Sequence, residues 1–267
     1  MADLCIISGC DRIRFPSYIN HRIFAETHAV AYRWSLFETK AGESSFFHKV
    51  KMAKDALREF EWVFWLDDDA YFTDFGWDIA AYAADHKSDL LICCGAMNGG
   101  VWTYLNSGAF FLRRSARSMA FLDAALNTNV WSLNGWWNSD VCGKFTGTDQ
   151  DAMTYLLLAD PRFAADFCLR LDFPEFNSRD YHYRERPDER RVLHLVPRKR
   201  NRIGKRATLE RFASRMGLPL HLVPPAIAAR FDLATLPEVL CARRHAHLAE
   251  PYGWDFVSGR TSWMASA

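Results

Sequence analysis

The chain has 267 residues, of which 49% are hydrophobic and 24% are charged, and its formal net charge is +1 at pH 7. This composition is typical of a globular protein with a sizeable core, and so small a net charge argues against a protein whose whole surface binds nucleic acid. No apolar run approaches the length of a membrane span and no leader precedes the first apolar segment, so we expect neither a transmembrane helix nor a signal peptide.

The N-terminal part alternates between short apolar runs and segments with helical spacing. Strands are predicted at residues 4–8, 29–34, 62–66 and 89–94, the first of them ended by Gly9. Helices are predicted at residues 18–28, 46–60 and 77–86, the second of them with Ser44 and Ser45 as candidate caps. Such strand–helix–strand alternation predicts a mostly parallel sheet covered by helices.

After residue 100 the pattern is mixed. Residues 101–112 look extended, with an interruption at Asn106, Ser107 and Gly108, and residues 116–126 have helical spacing. Residues 131–147 are rich in Asn, Gly and Trp, which predicts a loop. Thr148, with Asp151 three residues later, forms a capping-box pattern for the next helix. A late strand is predicted at residues 191–196, and further helical stretches are predicted beyond residue 204.

Three consecutive aspartates, Asp67, Asp68 and Asp69, directly follow the apolar run at residues 62–66. Ligands of open α/β sheets bind outside the carboxyl ends of the strands, where these acids emerge. Adjacent carboxylates repel one another, and a hard divalent cation relieves that repulsion while bridging to substrate phosphates. Asp67 and Asp69 can converge on one side, whereas Asp68 points elsewhere or reaches a ribose. A solvated acidic turn is the alternative.

Other residues could bind a nucleotide. Asp11 and Arg12 follow the first strand, where a base and ribose would dock, although a turn also explains them. Lys49 could reach a phosphate, or it is a solvated lysine on a helix. The densest basic run could hold a diphosphate or an anionic acceptor, could approach a lipid surface, or is a solvated loop; it comprises Arg198, Lys199, Arg200, Arg202, Lys205 and Arg206.

The seven cysteines favour a reducing compartment. They form no CxxC pair, which argues against structural zinc, and most lie in apolar runs where a free thiol behaves as a small hydrophobe. We therefore expect a cytoplasmic protein, with the inner face of the membrane as an alternative location.

Several segments resemble, in the same order, glycosyltransferase family 34, the galactosyl-, xylosyl- and mannosyltransferases of the GT-A fold. EWVFWLDDDAYFTD resembles the DxD region of that family, LNSGAFFLRRS its LNTG segment, GTDQDAMTYLL its DQ segment, and RVLHLVP the strand that carries a histidine. YINHRIFAETHAVAY and HKVKMAKDAL are similar to its early helices. The eukaryotic members commonly carry a membrane anchor and, after the histidine, a lysine-proline pair. This sequence shows neither feature, since it reads HLVPRK from His194 onward, and it therefore resembles a distant, bacterial member.

The resemblance implies an α/β fold of the Rossmann-like GT-A type, with a mixed, mostly parallel central sheet flanked by helices. The implied domain spans residues 1–204, with a nucleotide-sugar half at about 1–98 and an acceptor half at about 99–204. Residues 205–267 have no counterpart, and we expect them to form a mainly helical extension packed on the same domain.

The resemblance also implies site residues. Asp67, Asp69 and His194 become metal ligands, a set that suits Mn²⁺ somewhat better than Mg²⁺, although a histidine in an apolar strand is otherwise a core residue. Asp149 and Gln150 become the catalytic candidates that touch the transferred sugar, with a helix cap as the alternative. The implied donor-binding residues are Asp11, Arg12, Lys49, Asp68, Asn106, Ser107, Gly108, Arg198 and Lys199.

The implied activity is transfer of a sugar from a nucleoside-diphosphate sugar to a hydroxyl of a carbohydrate or glycolipid, as in polysaccharide biosynthesis. We expect retention of configuration and a UDP-sugar donor, with a GDP-sugar as the alternative, and no nucleic-acid partner. A metal-dependent nucleotidyl- or phosphotransferase is a second hypothesis, although the sequence contains no GxxxxGK[ST] phosphate loop. A non-catalytic carbohydrate-binding protein is the third.

Overall fold

A mixed β-sheet with helices on both faces forms the body of the molecule in the computed structural model. The structure describes residues 3–37, 44–97, 100–163, 166–196, 204–231, 252–257 and 260–265. The strands are β1 (Leu4–Cys10), β2 (Ala31–Leu36), β3 (Trp62–Leu66), β4 (Ala70–Phe72), β5 (Leu90–Cys93), β6 (Ala109–Arg113), β7 (Cys168–Leu171), β8 (Val192–His194), β9 (Tyr252–Val257) and β10 (Arg260–Ala265).

The α-helices alternate with these strands along much of the chain. They are α1 (Ser17–Thr27), α2 (His48–Ala56), α3 (Ile79–Ala84), α4 (Ala116–Asn127), α5 (Ser139–Cys142), α6 (Asp149–Ala159), α7 (Lys205–Met216) and α8 (Pro225–Ala228). Short 3₁₀ helices lie at Ser45–Phe47, Val130–Gly135, Pro161–Phe163, His182–Arg184 and Pro187–Glu189.

The main sheet has the strand order β10-β9-β2-β1-β3-β6-β5-β7. In the N-terminal part of the chain, β1 pairs parallel with both β2 and β3. Strand β5 also pairs parallel with β7. Strand β6 lies antiparallel between β3 and β5, which makes the sheet mixed. The predicted α/β fold with a mixed, mostly parallel central sheet is therefore confirmed.

Two apolar layers cover the sheet because successive strand residues point to opposite faces. In β1, Leu4 and Ile6 pack toward α1 and α3, whereas Cys5 and Ile7 pack toward α2, α4 and α6. The interior strand β3 is buried along its whole length, which agrees with its wholly apolar sequence.

A second, two-stranded sheet positions the acidic segment. Strand β4 begins directly after the three aspartates and pairs antiparallel with β8, with Ala70 opposite His194. The backbone N–H of Leu195 also donates to the carbonyl of Asp69 at 2.9 Å. This pairing brings a histidine from late in the sequence next to acids from its first third.

Several local predictions were wrong. Gly9 does not end β1 but lies inside it, where a Cβ would come within 2.6 Å of the Ser35 carbonyl oxygen. The predicted loop at residues 131–147 contains a 3₁₀ helix and α5, because Asn138 caps the start of α5 through its side chain. The predicted helix at residues 77–86 is shorter, since Asp78 caps it and α3 begins at Ile79.

The C-terminal segment is not only helical. Strand β9 pairs antiparallel with β2 and with β10, so residues 252–257 and 260–265 extend the main sheet. These strands were not anticipated in the predicted extension at 205–267. None of the helices in the described ranges combines the length and apolar character that a bilayer crossing requires.

Candidate metal centre and adjoining pocket

The acidic segment lies at the carboxyl end of β3, as its sequence predicts. The backbone N–H of Asp67 donates to the Gly108 carbonyl at 2.8 Å, and that of Ala70 donates to the Asp67 carbonyl at 3.0 Å. The chain therefore turns tightly between β3 and β4. On the other face, the Ser17 hydroxyl at the start of α1 donates to the carbonyl of Asp68.

Three side chains that were predicted as metal ligands converge here. His194 Nε2 lies 3.3 Å from Asp69 Oδ1 and 3.7 Å from Asp67 Oδ2, and one ligand atom of each residue lies within 4.8 Å of the others. Oxygen and nitrogen ligands about 2.1 Å from a cation are themselves about 3 to 4.3 Å apart in octahedral geometry. The three residues thus fit a divalent cation with small adjustments.

The other oxygen of each carboxylate is held in place. Asp67 Oδ1 accepts from the Trp65 indole N–H at 2.7 Å and from Lys49 Nζ at 3.0 Å. Asp69 Oδ2 accepts from Lys205 Nζ. Each aspartate therefore keeps one oxygen anchored by the protein and turns the other toward His194.

Electrostatics at this turn also favour a cation. Burial lowers the pKa of His194, although Asp69 opposes the shift, so the imidazole is neutral near pH 7. Burial, together with the charges of Asp69 and Asp67, raises the pKa of Asp68 to about 8. A divalent cation would relieve the repulsion among the carboxylates of Asp67, Asp68 and Asp69.

Lys49 is not the solvated lysine that its helical position suggested. It is buried, and its Nζ donates to the Ser107 carbonyl at 3.1 Å and lies 3.6 Å from Asp149 Oδ2. Burial by itself lowers the pKa of Lys49, but Asp149 and Asp67 outweigh it and the pKa is raised. Lys49 thus links α2, the acidic turn and the start of α6.

Asp149 is also buried, with 1% of its surface exposed. Burial raises its pKa, and Lys49 and a hydrogen bond from Ser107 oppose that shift. Helix α6 starts after Thr148 as predicted, but the predicted cap bond was wrong, because the Thr148 side chain makes none. Asp151 instead accepts from the backbone N–H groups of Thr146 and Gly147, at 2.6 and 2.5 Å.

Gly108 is required by its close approach to the histidine. A Cβ at this position would lie 2.1 Å from His194 Cε1 and 2.9 Å from Asn106 Oδ1. The predicted donor-binding segment at residues 106–108 therefore contacts two sides of the centre, with Ser107 on Lys49 and Gly108 on His194.

A cavity of about 330 Å³, lined by both apolar and polar residues, adjoins the centre. Asn106 and Gln150, both predicted as donor-side residues, line it together with Arg179 and Thr148, and the predicted loop contributes Thr146. Asn177 and Arg179, which connect this wall to His194, carry no sequence signal that singled them out.

The remaining donor-binding candidates lie away from the metal centre or outside the described residues. Asp11 and Arg12 are exposed at the carboxyl end of β1, and Asp11 pairs with Arg14 at 2.9 Å rather than with the centre. Arg198 and Lys199 lie outside the described residues. From the same basic run, Lys205 begins α7 and reaches Asp69, as noted above.

Comparisons with known proteins find similarity to glycosyltransferases. No family model matches the chain. It is 37% identical over 78 residues to "Putative glycosyltransferase 7" of Arabidopsis thaliana, which covers 28% of this chain and 17% of that protein. It is 27% identical over 159 residues to "Xyloglucan 6-xylosyltransferase 4" of the same plant, which covers 51% of this chain and 29% of that protein. The chain thus spans less than a third of these curated relatives, to which it is distantly similar.

A solved structure shares the fold. A glycosyltransferase involved in the glycosylation of the major capsid of PBCV-1 matches with a TM-score of 0.55 and 17% identity, covering 79% of this chain and 98% of that chain. At this identity the match establishes a common fold.

Proposed function

We propose that this protein is a metal-dependent glycosyltransferase related to family 34, which moves a sugar from a nucleoside-diphosphate sugar to a carbohydrate hydroxyl with retention of configuration. The observation that carries the proposal is the convergence of Asp67, Asp69 and His194 at the carboxyl edge of the sheet. The distant similarity to plant glycosyltransferases and the shared fold support it.

Asp67, Asp69 and His194 would hold Mn²⁺ or Mg²⁺, and the bound cation would neutralise charge on the departing nucleoside diphosphate. Lys205 is partly exposed, and its ammonium group pairs with Asp69. A diphosphate that shares the metal would give this lysine a second anionic partner. Lys49 is enclosed and keeps Asp67 oriented from the opposite side.

The cavity beside the centre is the proposed place of the transferred sugar. Its volume of about 330 Å³ lies at the lower end of the range of ligand pockets, roughly 300 to 1,000 Å³, which suits a small sugar rather than a long chain. Asn106, Gln150 and Arg179 supply hydrogen-bonding groups for sugar hydroxyls. Asp149 lies beside Gln150 and would stabilise positive charge that develops on the sugar.

Calorimetry of nucleotide binding tests the proposal. Wild-type protein should bind UDP in the presence of Mn²⁺ and lose that binding in EDTA. Asp67→Ala and Asp69→Ala should each abolish the Mn²⁺-dependent binding, because each removes a ligand atom and a negative charge from the centre. A panel of UDP- and GDP-sugars, assayed for metal-dependent hydrolysis and transfer, should then identify the donor.

Asp85→Ala provides the matched control, since Asp85 is exposed at the end of α3. It should bind UDP as the wild type does, and melting temperatures should show that all three variants fold. Unchanged UDP affinity in both Asp67→Ala and Asp69→Ala would refute the metal assignment. Binding without hydrolysis or transfer of any nucleotide sugar would favour a non-catalytic carbohydrate-binding protein.

A further inference from the structure

The two ring nitrogens of His194 face different surroundings. Nε2 points at the carboxylates of Asp67 and Asp69, whereas Nδ1 lies 2.8 Å from Asn177 Oδ1. A neutral imidazole carries a proton on only one of its two nitrogens, and the other nitrogen is the one that can bind a metal. The position of this proton therefore decides whether His194 can be a ligand.

A chain of hydrogen bonds fixes that position. The backbone N–H of Gly108 can only donate, and it lies 3.1 Å from Asn106 Oδ1, so the Asn106 atom at this place is the oxygen. Asn177 Nδ2 lies 2.9 Å from the same oxygen and 3.0 Å from the Asn106 carbonyl, both of which accept. The amide group of Asn177 must therefore be oriented with its NH₂ toward Asn106 and its oxygen toward His194.

Arg179 reinforces the same orientation. Its Nη1 can only donate, and it lies 3.4 Å from Asn177 Oδ1 and 3.4 Å from the His194 carbonyl. The backbone also holds Asn177 beside β8, since the N–H of His194 donates to the Ser178 carbonyl at 2.7 Å and the N–H of Ser178 donates to the Val192 carbonyl at 2.9 Å. An accepting oxygen thus faces Nδ1, and Nδ1 carries the proton.

We propose that Asn177 is a positioning residue, which holds His194 in the Nδ1–H form so that Nε2 offers its lone pair to a divalent cation between Asp67 and Asp69. This inference rests on the metal site of the proposed function. Without Asn177 the proton would move to Nε2, which can donate to Asp69 Oδ1 at 3.3 Å. Asn177 therefore favours metal binding at the expense of that hydrogen bond in the metal-free protein.

Two substitutions separate this role from simple packing. Asn177→Leu has a similar size but cannot accept from Nδ1–H, whereas Asn177→Asp retains an accepting oxygen and loses the donor to Asn106. We expect Asn177→Leu to shift His194 to the Nε2–H form and to weaken Mn²⁺ binding about 10- to 100-fold, the usual effect of losing the partner of a metal-binding histidine. Asn177→Asp should keep His194 in the Nδ1–H form and should bind Mn²⁺ within a few fold of the wild-type affinity.

The measurements do not depend on activity. Long-range ¹H–¹⁵N NMR correlations of the metal-free protein report which nitrogen is protonated, and comparison with His194→Ala assigns the signal. Titration with Mn²⁺ alone, followed by electron paramagnetic resonance, reports affinity. Asn20→Leu is the matched control, because Asn20 is a buried asparagine whose two hydrogen bonds go to the backbone of Phe72. It should lower the melting temperature and leave both readouts unchanged.

The outcomes distinguish the two proposals. An Nε2–H signal from His194 in the wild type, which needs no variant, would overturn the role of Asn177. An unchanged tautomer and unchanged Mn²⁺ affinity in Asn177→Leu would overturn it as well. An Nδ1–H signal in a wild-type protein that binds no Mn²⁺ would instead overturn the metal-dependent function on which the inference rests.

Discussion

Two lysines flank the acidic turn, and their surroundings differ. The Lys49 side chain is 7% exposed and contacts Asp67, Ser107 and Asp149. The Lys205 side chain is 39% exposed, and its ion pair within the described part of the chain is with Asp69. The inner lysine is enclosed by three elements, whereas the outer one begins a helix at the surface. We infer that the inner side of the centre is scaffold and that the outer side can exchange partners with a substrate.

The physical cost of each position supports this distinction. A buried ammonium group loses its hydration, and well-placed anions and hydrogen-bond acceptors must compensate for that loss. Asp67, Asp149 and the Ser107 carbonyl supply such compensation for Lys49. A partly exposed ammonium group keeps water on one side, so Lys205 could take a phosphate as a second partner while it stays paired with Asp69.

The largest expected effect concerns stability. Lys49→Met should lower the free energy of unfolding by about 3 kcal/mol or more, because it leaves the buried carboxylate of Asp149 uncompensated. Lys205→Met, which carries the same substitution on the exposed side, should lower it by less than Lys49→Met does, because water can take the place of this partly exposed ammonium group beside the buried Asp69 carboxylate. Urea denaturation of both variants measures these changes. Similar losses in the two variants would contradict the division into scaffold and exchangeable sides.

The burial of Lys49 could not be predicted from the sequence. The apolar residues of its helix mark one face, and Lys49 adjoins Val50 on that face without a local signal that it is enclosed. Its partners come from the turn after β3, the loop before β6 and the start of α6, so tertiary contacts alone decide its environment. The position of Asp67, Asp68 and Asp69 at the edge of the sheet was predictable, because a wholly apolar strand precedes them.

Much of the sheet was predictable for the same reason. Short apolar runs such as residues 62–66 are buried on both faces, and they alternate with helices. His194 was a candidate only through the family resemblance, since a histidine in an apolar strand is usually a core residue. Asn177 and Arg179 were missed because their role depends on hydrogen bonds between segments far apart in the sequence.

The next effect tests whether the inner side also takes part in the reaction. Asp149→Asn should keep UDP-sugar affinity within a few fold but reduce the transfer rate roughly hundredfold, because in the proposed reaction the charge of Asp149 acts mainly in the transition state. Initial rates with the donor found in the nucleotide-sugar panel, together with calorimetry of donor binding, measure the two quantities. Near-normal turnover with lowered stability would leave Asp149 as a partner of Lys49 and nothing more.

The smallest effect concerns Asp151, which lies two residues from Asp149 at the same helix start. Its carboxylate accepts from the N–H groups of Thr146 and Gly147 and so holds the turn that enters α6. Asp151→Ala should therefore cost about 1 kcal/mol of unfolding free energy, as the loss of a helix-start carboxylate usually does. Because Thr146 lines the cavity, the Michaelis constant for the donor should rise no more than a few fold, with turnover unchanged. Thermal denaturation and steady-state kinetics on the same preparation separate the two neighbours: a fall in turnover as large as that of Asp149→Asn would show that the whole helix start, and not the charge of Asp149, supports the reaction.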